Sequence, residues 1–282
     1  MYEIKSKRWL SPAVTEMTVH APRIAASAKP GQFLIVRVNE IAERIPLTIC
    51  DYDAEAGTVT IVTQAVGVSS RKINDMEEGD RFADVAGPLG RPTDLMDLGD
   101  EDLKKERILF VAGGVGAAPV YPQVKWLRSR GVDADVIIGA KTRDLLCFVP
   151  EMEKVAGNLY LCTDDGSAGF HGMVPALMEQ LYDQGRYTRC VVIGPMIMMK
   201  FASLSTLKAG IPTIVSLNAL MVDGTGMCGA CRVSVGGETK FTCVDGPEFD
   251  AHKVDFDEAM RRQNMYRNNP KTNPEDCTCH GR

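Results

Sequence analysis

The sequence predicts a multidomain β plus α/β fold: an N-terminal antiparallel β-barrel, a parallel α/β domain and a small glycine- and cysteine-rich segment. Three observations predict it. Up to about residue 98, short Val- and Ile-rich runs are separated by turn signals, the pattern of several strands forming a small barrel or sandwich. From about residue 105, buried-strand runs alternate with stretches long enough for helices, the signature of a parallel sheet covered on both faces. From about residue 213 glycine and cysteine become frequent, and the chain ends in a polar stretch. The expected bounds are 1–98 for the barrel, 99–212 for the α/β domain, 213–250 for the cysteine segment and 251–282 for a C-terminal extension.

In the barrel, "QFLIVRV" (32–38), "TVTIVTQAV" (58–66) and "RFADVAG" (81–87) read as strands, with "KPGQ", "EAG" and "EEGD" as turns. In the α/β domain the strands are "RILFVAG" (107–113), "DADVIIGA" (133–140), "NLYLCTDDG" (158–166) and "RCVVIGP" (189–195). Helices are expected over 117–130, 172–185 and 196–208.

Composition removes several function classes. The 282 residues carry a formal charge of -5 and no block of Lys and Arg, so neither nucleic acid nor an anionic membrane is the expected partner. No apolar run approaches the ~18 residues of a membrane span. The opening "MYEIKSKRWL" lacks the apolar core of a signal peptide, which points to the cytoplasm. Nine cysteines in a reducing compartment are then thiols, metal ligands or redox groups. Cys50, Cys147, Cys162 and Cys190 lie in or beside apolar runs and read as core thiols. Cys277, Cys279 and His280 fall in the polar tail and read as part of a solvated terminus, with a metal or partner contact as the alternative.

Three stretches could carry chemistry. In "LFVAGGVGAAPVYPQ" (109–123) a buried strand runs into Gly113, Gly114, Val115 and Gly116 and then a helix. Glycines there let a diphosphate approach the backbone at a helix start, although a tight strand-to-helix turn without ligand has the same pattern. "CTDDGSAGFHG" (162–172) and "IGPMIMM" (193–199) end two further strands, where ligands of open α/β sheets bind. The second stretch is "RIPLTICD" (44–51) with "TQAVGVSSRKI" (63–73), in which Thr63 and Gln64 lead to Gly67, Ser69 and Ser70. Its Gly-Ser turn offers donors suited to a pyrophosphate, or is only a turn.

The third is "MVDGTGMCGACRV" (221–233), in which Asp223, Cys228 and Cys231 are followed by Cys243. Plant-type [2Fe–2S] ferredoxins use Cys-x4-Cys-x2-Cys with a fourth cysteine further on. This chain has that spacing with Asp223 in the first place, and aspartate keeps the ligand charge while exchanging sulfur for oxygen. A three-cysteine zinc site completed by Asp223 and a plain Cys-x-x-Cys redox pair are the competing readings.

In this order of units and in "RIPLTI" (44–49), "AGGVGAAPVYP" (112–122), "TDDGS" (163–167), "IGPMIMM" (193–199) and the ligand segment, the chain resembles one branch of the ferredoxin–NADP reductase superfamily over nearly its full length. That branch includes the electron-transfer subunit of dihydroorotate dehydrogenase. Within it, the chain is most similar to the small subunit of the NADH-dependent reduced ferredoxin:NADP+ oxidoreductase and to the related sulfide dehydrogenase subunit. These carry aspartate as first cluster ligand and a stretch like "CVDGPEFDAHKVDFDEAMRRQNMY" (243–266).

The resemblance implies FAD on the barrel, NAD(H) on the α/β domain and a [2Fe–2S] cluster on Asp223, Cys228, Cys231 and Cys243. By the same implication Pro46, Leu47 and Thr48 line the flavin and ribityl chain, and Gly67, Ser69 and Ser70 hold the pyrophosphate. Gly113, Gly114, Val115 and Gly116 face the dinucleotide, with Asp164, Asp165 and Gly166 and then Gly194, Pro195 and Met196 closing its pocket. The family's Arg-x-Tyr-Ser/Thr motif is altered: Leu47 replaces the aromatic and Arg44 stands one residue early, so its role is open. The implied partner is a larger subunit with a second flavin and iron–sulfur clusters, through which ferredoxin is reached in an electron-bifurcating complex. Other readings keep the module but attach it to sulfide, dihydroorotate or hydrogen oxidation, or make the chain a zinc-containing, nucleotide-sensing regulator. NAD is expected over NADP, while Lys141 and Arg143 could meet a 2′-phosphate.

Overall fold

A computed structural model of the chain describes residues 2–183 and 187–265. The N-terminal unit is a six-stranded antiparallel sheet made of β1 (Ile4–Ser11), β2 (Val14–His20), β3 (Phe33–Arg37), β4 (Ile45–Asp53), β5 (Thr58–Gln64) and β6 (Asp84–Leu89). The strand order is β1-β2-β5-β4-β3-β6. A bridge between Glu3 and Arg81 joins the two edges and closes the barrel. Alternation along the strands sends Met17, Val19, Leu34, Val36, Val59 and Ile61 inward to one core.

The second unit contains β7 (Ile108–Gly113), β8 (Asp135–Ala140), β9 (Leu159–Thr163), the short β10 (Phe170–His171), β11 (Arg189–Ile193) and β12 (Thr213–Ser216). Successive residues of β7 serve opposite faces, as a period of two requires. Phe110 and Ala112 pack with Val120, Val124 and Leu127 of helix Ala117–Ser129. Leu109 and Val111 pack with Leu177 and Met178 of helix Val174–Tyr182 and Met199 and Ala202 of helix Met196–Ala209. Helices therefore cover both faces, and the three longest lie in the expected stretches. Cys50, Cys147, Cys162 and Cys190 are buried free thiols.

The third unit has a hairpin, β13 (Arg232–Val235) and β14 (Glu238–Phe241), turned by Gly236 and Gly237 at positive φ. Its last strand, β15 (Glu248–Asp250), pairs antiparallel with β12 and completes the order β10-β9-β8-β7-β11-β12-β15. The sheet thus runs through Thr213–Ser216, past the boundary expected at 212, and takes a strand from the cysteine segment. Helix Phe256–Gln263 follows, its N-terminus capped by the Asp255 carboxylate accepting from the Glu258 N–H at 2.8 Å. Its basic end returns to the cysteine loop, where Arg262 donates to the Ala230 carbonyl at 3.1 Å. Cys277, Cys279 and His280 lie outside the described residues.

The units share cores. Val14, Cys50 and Val62 of the barrel belong to the same apolar cluster as helix Ala117–Ser129. Lys125 of that helix reaches Asp51 of β4 at 2.7 Å. Among the described residues no helix is long and apolar enough to cross a membrane.

Candidate electron-transfer site

Asp223, Cys228, Cys231 and Cys243 divide into two pairs. Cys231 and Cys243 are 2% and 1% exposed and pack with Met221 and with Phe33 and Ile35 of β3. Their sulfurs lie 3.2 Å apart. Burial first, and then the adjacent Cys231 sulfur, push the Cys243 thiol up to about 12. The buried Cys243 thiol keeps its proton unless a cationic centre takes its place, and a second sulfur at this distance gives the pair the chemistry of metal ligands. Cys228 is exposed, and backbone N–H groups, that of Ala230 foremost and then those of Asp223 and Val222, hold its thiol below the usual range.

Asp223 accepts at Oδ2 from the Thr225 hydroxyl at 2.6 Å, the Thr225 N–H at 2.8 Å and the Met227 N–H at 3.2 Å. These bonds hold its carboxyl below the ordinary value. All three use one oxygen. Gly224 (φ 85°) and Gly226 (φ 88°) make the turn, and a Cβ on Gly224 would stand 2.3 Å from Ile35 Cδ1. The loop therefore rests directly on the barrel. Among the described residues no three His, Cys, Asp or Glu side chains converge on one point, so the inner cysteine pair is assembled while Asp223 and Cys228 stand apart from it.

The glycines after β7 have two distinct functions. Gly116 allows close packing, because a Cβ there would lie 2.2 Å from the Ile193 carbonyl oxygen. Gly113 and Gly194 back onto each other, and side chains at either would strike Met198. Gly114, at φ 55°, has nothing within 4 Å of its Cβ position and leaves open backbone at the head of the helix. Pro195 caps helix Met196–Ala209, and Met196 is buried in its first turn. The loop after β9 is tied down at Asp165, whose carboxylate accepts from the Ser167 hydroxyl at 2.6 Å and N–H at 3.0 Å, holding it below the ordinary value. Arg143 is fastened to the same loop, its Nε donating to the Ser167 carbonyl at 3.0 Å.

On the barrel, Pro46, Leu47 and Thr48 are half-buried along β4. The buried Thr63 hydroxyl has no partner among the described residues, while Gln64 is exposed. Ser70 Oγ closes the following turn by accepting from the Gly67 N–H at 2.8 Å and the Val66 N–H at 3.0 Å. Ser69 bonds Glu43. Arg44 pairs with Asp84 at 3.3 Å.

Residues 218–255 match the family model described as the iron–sulfur cluster binding domain of dihydroorotate dehydrogenase B. The electron transfer subunit of dihydroorotate dehydrogenase B (NAD(+)) from Geobacillus thermodenitrificans is 34% identical over 89% of this chain and 96% of its own. A homolog of that subunit from Thermotoga maritima is 42% identical over 97% of this chain and 94% of its own. The chain belongs to the dihydroorotate dehydrogenase B electron-transfer subunit family. A solved structure of an NADH-dependent reduced ferredoxin-NADP oxidoreductase contains a chain similar to this electron-transfer subunit, with a TM-score of 0.88 and 42% identity over 95% of this chain and 94% of that one. The subunit thus has a ferredoxin-reductase-type fold with a C-terminal iron–sulfur segment, and it is an oxidoreductase component.

Parts of this electron-transfer subunit's site carry no sequence motif. The hydrogen bonds from Thr225 and Met227 to Asp223 depend on a turn. The contact of Arg262 with Ala230 spans 32 residues.

Proposed function

We propose that this subunit exchanges hydride with NAD(H) at an FAD on the barrel and passes single electrons through a [2Fe–2S] cluster to a larger flavin- and iron–sulfur-containing subunit. The complex is of the electron-bifurcating, NADH-dependent reduced ferredoxin:NADP+ oxidoreductase kind, with ferredoxin reached through the partner. The observation that carries this reading is the likeness to the solved oxidoreductase chain, which spans barrel, α/β domain and cysteine loop together. When bound, these cofactors supply two-electron exchange at one end and one-electron exchange at the other.

The chain's own residues hold and orient. Cys231 and Cys243 are one pair of cluster ligands, Asp223 and Cys228 the other. Pro46, Leu47 and Thr48 offer a half-buried surface to the flavin, Thr63, whose hydroxyl has no partner among the described residues, and Gln64 follow on the neighbouring strand, and Gly67, Ser69 and Ser70 form the turn for its pyrophosphate. Of Gly113, Gly114, Val115 and Gly116, the turn for the dinucleotide, Gly114 offers open backbone while Gly113 and Gly116 pack the turn tightly, between the Asp164–Asp165–Gly166 loop and Gly194, Pro195 and Met196.

The test is electron paramagnetic resonance of the anaerobically purified, dithionite-reduced protein. A rhombic [2Fe–2S] signal that shifts in Asp223→Cys and is lost or degraded in Asp223→Ala is expected. A protein without that signal that holds stoichiometric zinc instead would remove the electron exit and make the chain a redox-silent regulator. Co-purification identifies the larger subunit; a partner that oxidises dihydroorotate would reassign the module to that reaction.

A further inference from the structure

One carboxyl group lies where the three units meet, and the electron-transfer chemistry does not use it. Glu248 opens β15, a few residues after Cys243. Its Oε1 accepts from Gln123 Nε2 at 2.6 Å, and Gln123 is fully buried on helix Ala117–Ser129. The barrel closes the other side: a Cβ on Gly31 would lie 3.3 Å from Glu248 Oε1 and 2.7 Å from the Thr93 backbone nitrogen. Glu248 Oε2, Gln123 Oε1 and the Thr93 hydroxyl oxygen are all buried with no hydrogen-bond partner among the described residues.

The surrounding charges do not answer this carboxyl. Asp94 of the barrel acts on it with like sign and is itself paired with Arg189 of β11 at 2.8 Å. Arg189 also faces Glu106 at 4.0 Å. On the helix, Lys125 is committed to Asp51. On the Glu248 strand, Asp250 pairs with Lys253 at 2.9 Å. An ionised Glu248 would therefore be an enclosed charge with no cation paired to it among the described residues, and buried oxygens without donors are costly as well. A proton on the carboxyl meets both needs, since it removes the charge and adds a second O–H, beside that of Thr93, to a junction whose buried oxygens outnumber its donors.

We propose that Glu248 is a proton-binding site, a neutral carboxylic acid whose hydroxyl hydrogen completes the junction and clasps barrel, dinucleotide domain and cluster segment together. Burial, and then Asp94, push this carboxyl up to about 7, with the neighbouring Thr93 side chain and the Gln123 amide acting the other way. The folded state therefore binds this proton more tightly than the unfolded chain does. Its stabilisation is fully present below the ordinary value of 4.5 and is lost as pH rises through about 7. Above that range the clasp carries a charge. The strand that leads back to Cys243 and the helix that begins at the dinucleotide turn are then held less firmly.

The test compares thermal unfolding of the cofactor-loaded wild type and Glu248→Gln between about pH 5 and about pH 8. Glutamine keeps the shape and cannot titrate, so its Tm relative to wild type should climb as pH rises through the Glu248 range. An offset that stays constant with pH would overturn the proposal. Infrared spectroscopy of the wild type gives a second reading that needs no variant. A protonated-carboxyl band at mildly acidic pH that disappears as pH passes about 7 is expected; its absence at mildly acidic pH would equally overturn the clasp.

Discussion

Cys231 and Cys243 are buried in a small core shared with Phe33 and Ile35, whereas Cys228 and Asp223 sit at the surface in a loop ordered by its own N–H groups. The inner pair is placed by packing, so barrel and cluster segment cannot separate without exposing it. The outer pair is placed by turns, with little apolar surface behind it and Met227 86% exposed at its edge. Electrostatics divides the same way. Burial pushes Cys243 up, while donors hold Cys228 and Asp223 down. In the proposed ligand set, Cys243 must lose a proton held by burial to bind a cationic centre, whereas Cys228 and Asp223 are already disposed to be anionic. This difference teaches that the ligand set proposed here would combine a rigid anchor with an accessible edge where an electron can leave.

The most direct way to break the comparison is serine substitution on each side. Cys231→Ser places a hydroxyl in an apolar core and should cost about 1–3 kcal/mol even in the metal-free protein. Cys228→Ser should stay within about 0.5 kcal/mol there, because the site is exposed. Urea unfolding of both metal-free variants measures this, and equal losses would mean that packing does not distinguish the pairs. Next in size is Arg262→Ala. It removes the guanidinium that donates to the Ala230 carbonyl between Cys228 and Cys231, an effect of about 1–2 kcal/mol. Iron release to a chelator should accelerate in this variant, with the flavin barrel unaffected.

The helices and parallel strands were legible because period and glycine placement are local. "LFVAGG" is at once an uninterrupted buried run and the start of a turn, and β7 lies where that pattern puts it. The cysteine spacing was legible for the same reason. The long-range joins were not. β15 is only three residues long, and nothing in "EFD" says that it pairs with β12. Glu248 and Gln123 are ordinary polar letters 125 residues apart, and only the assembled junction gives them a shared environment. Ser70 shows the converse: its place in a Gly-Ser turn is visible in the sequence, but the partners of its hydroxyl depend on how that turn folds.

The smallest expected effect probes the outer pair alone. Thr225→Val keeps the β-branched shape and the backbone N–H but deletes the hydroxyl that donates to Asp223 Oδ2 at 2.6 Å. That hydroxyl is the largest influence holding the Asp223 carboxyl below its ordinary value. A depressed carboxyl contributes above its ordinary pKa and loses that contribution as pH falls through the lowered value, so removing the donor moves the loss to higher pH. Bleaching of the cluster on acidification should accordingly begin at higher pH in the variant. A less hydrogen-bonded carboxylate is also a stronger donor to iron and favours the oxidised centre. The midpoint potential should fall by on the order of tens of millivolts, one hydrogen bond's share converted for a one-electron couple. The inner pair is untouched by this change, so iron content at neutral pH should remain that of the wild type. If potential and acid sensitivity both stay at wild-type values, Asp223 is not among the atoms that feel the cluster, and the outer half of the ligand set must be sought elsewhere in the loop.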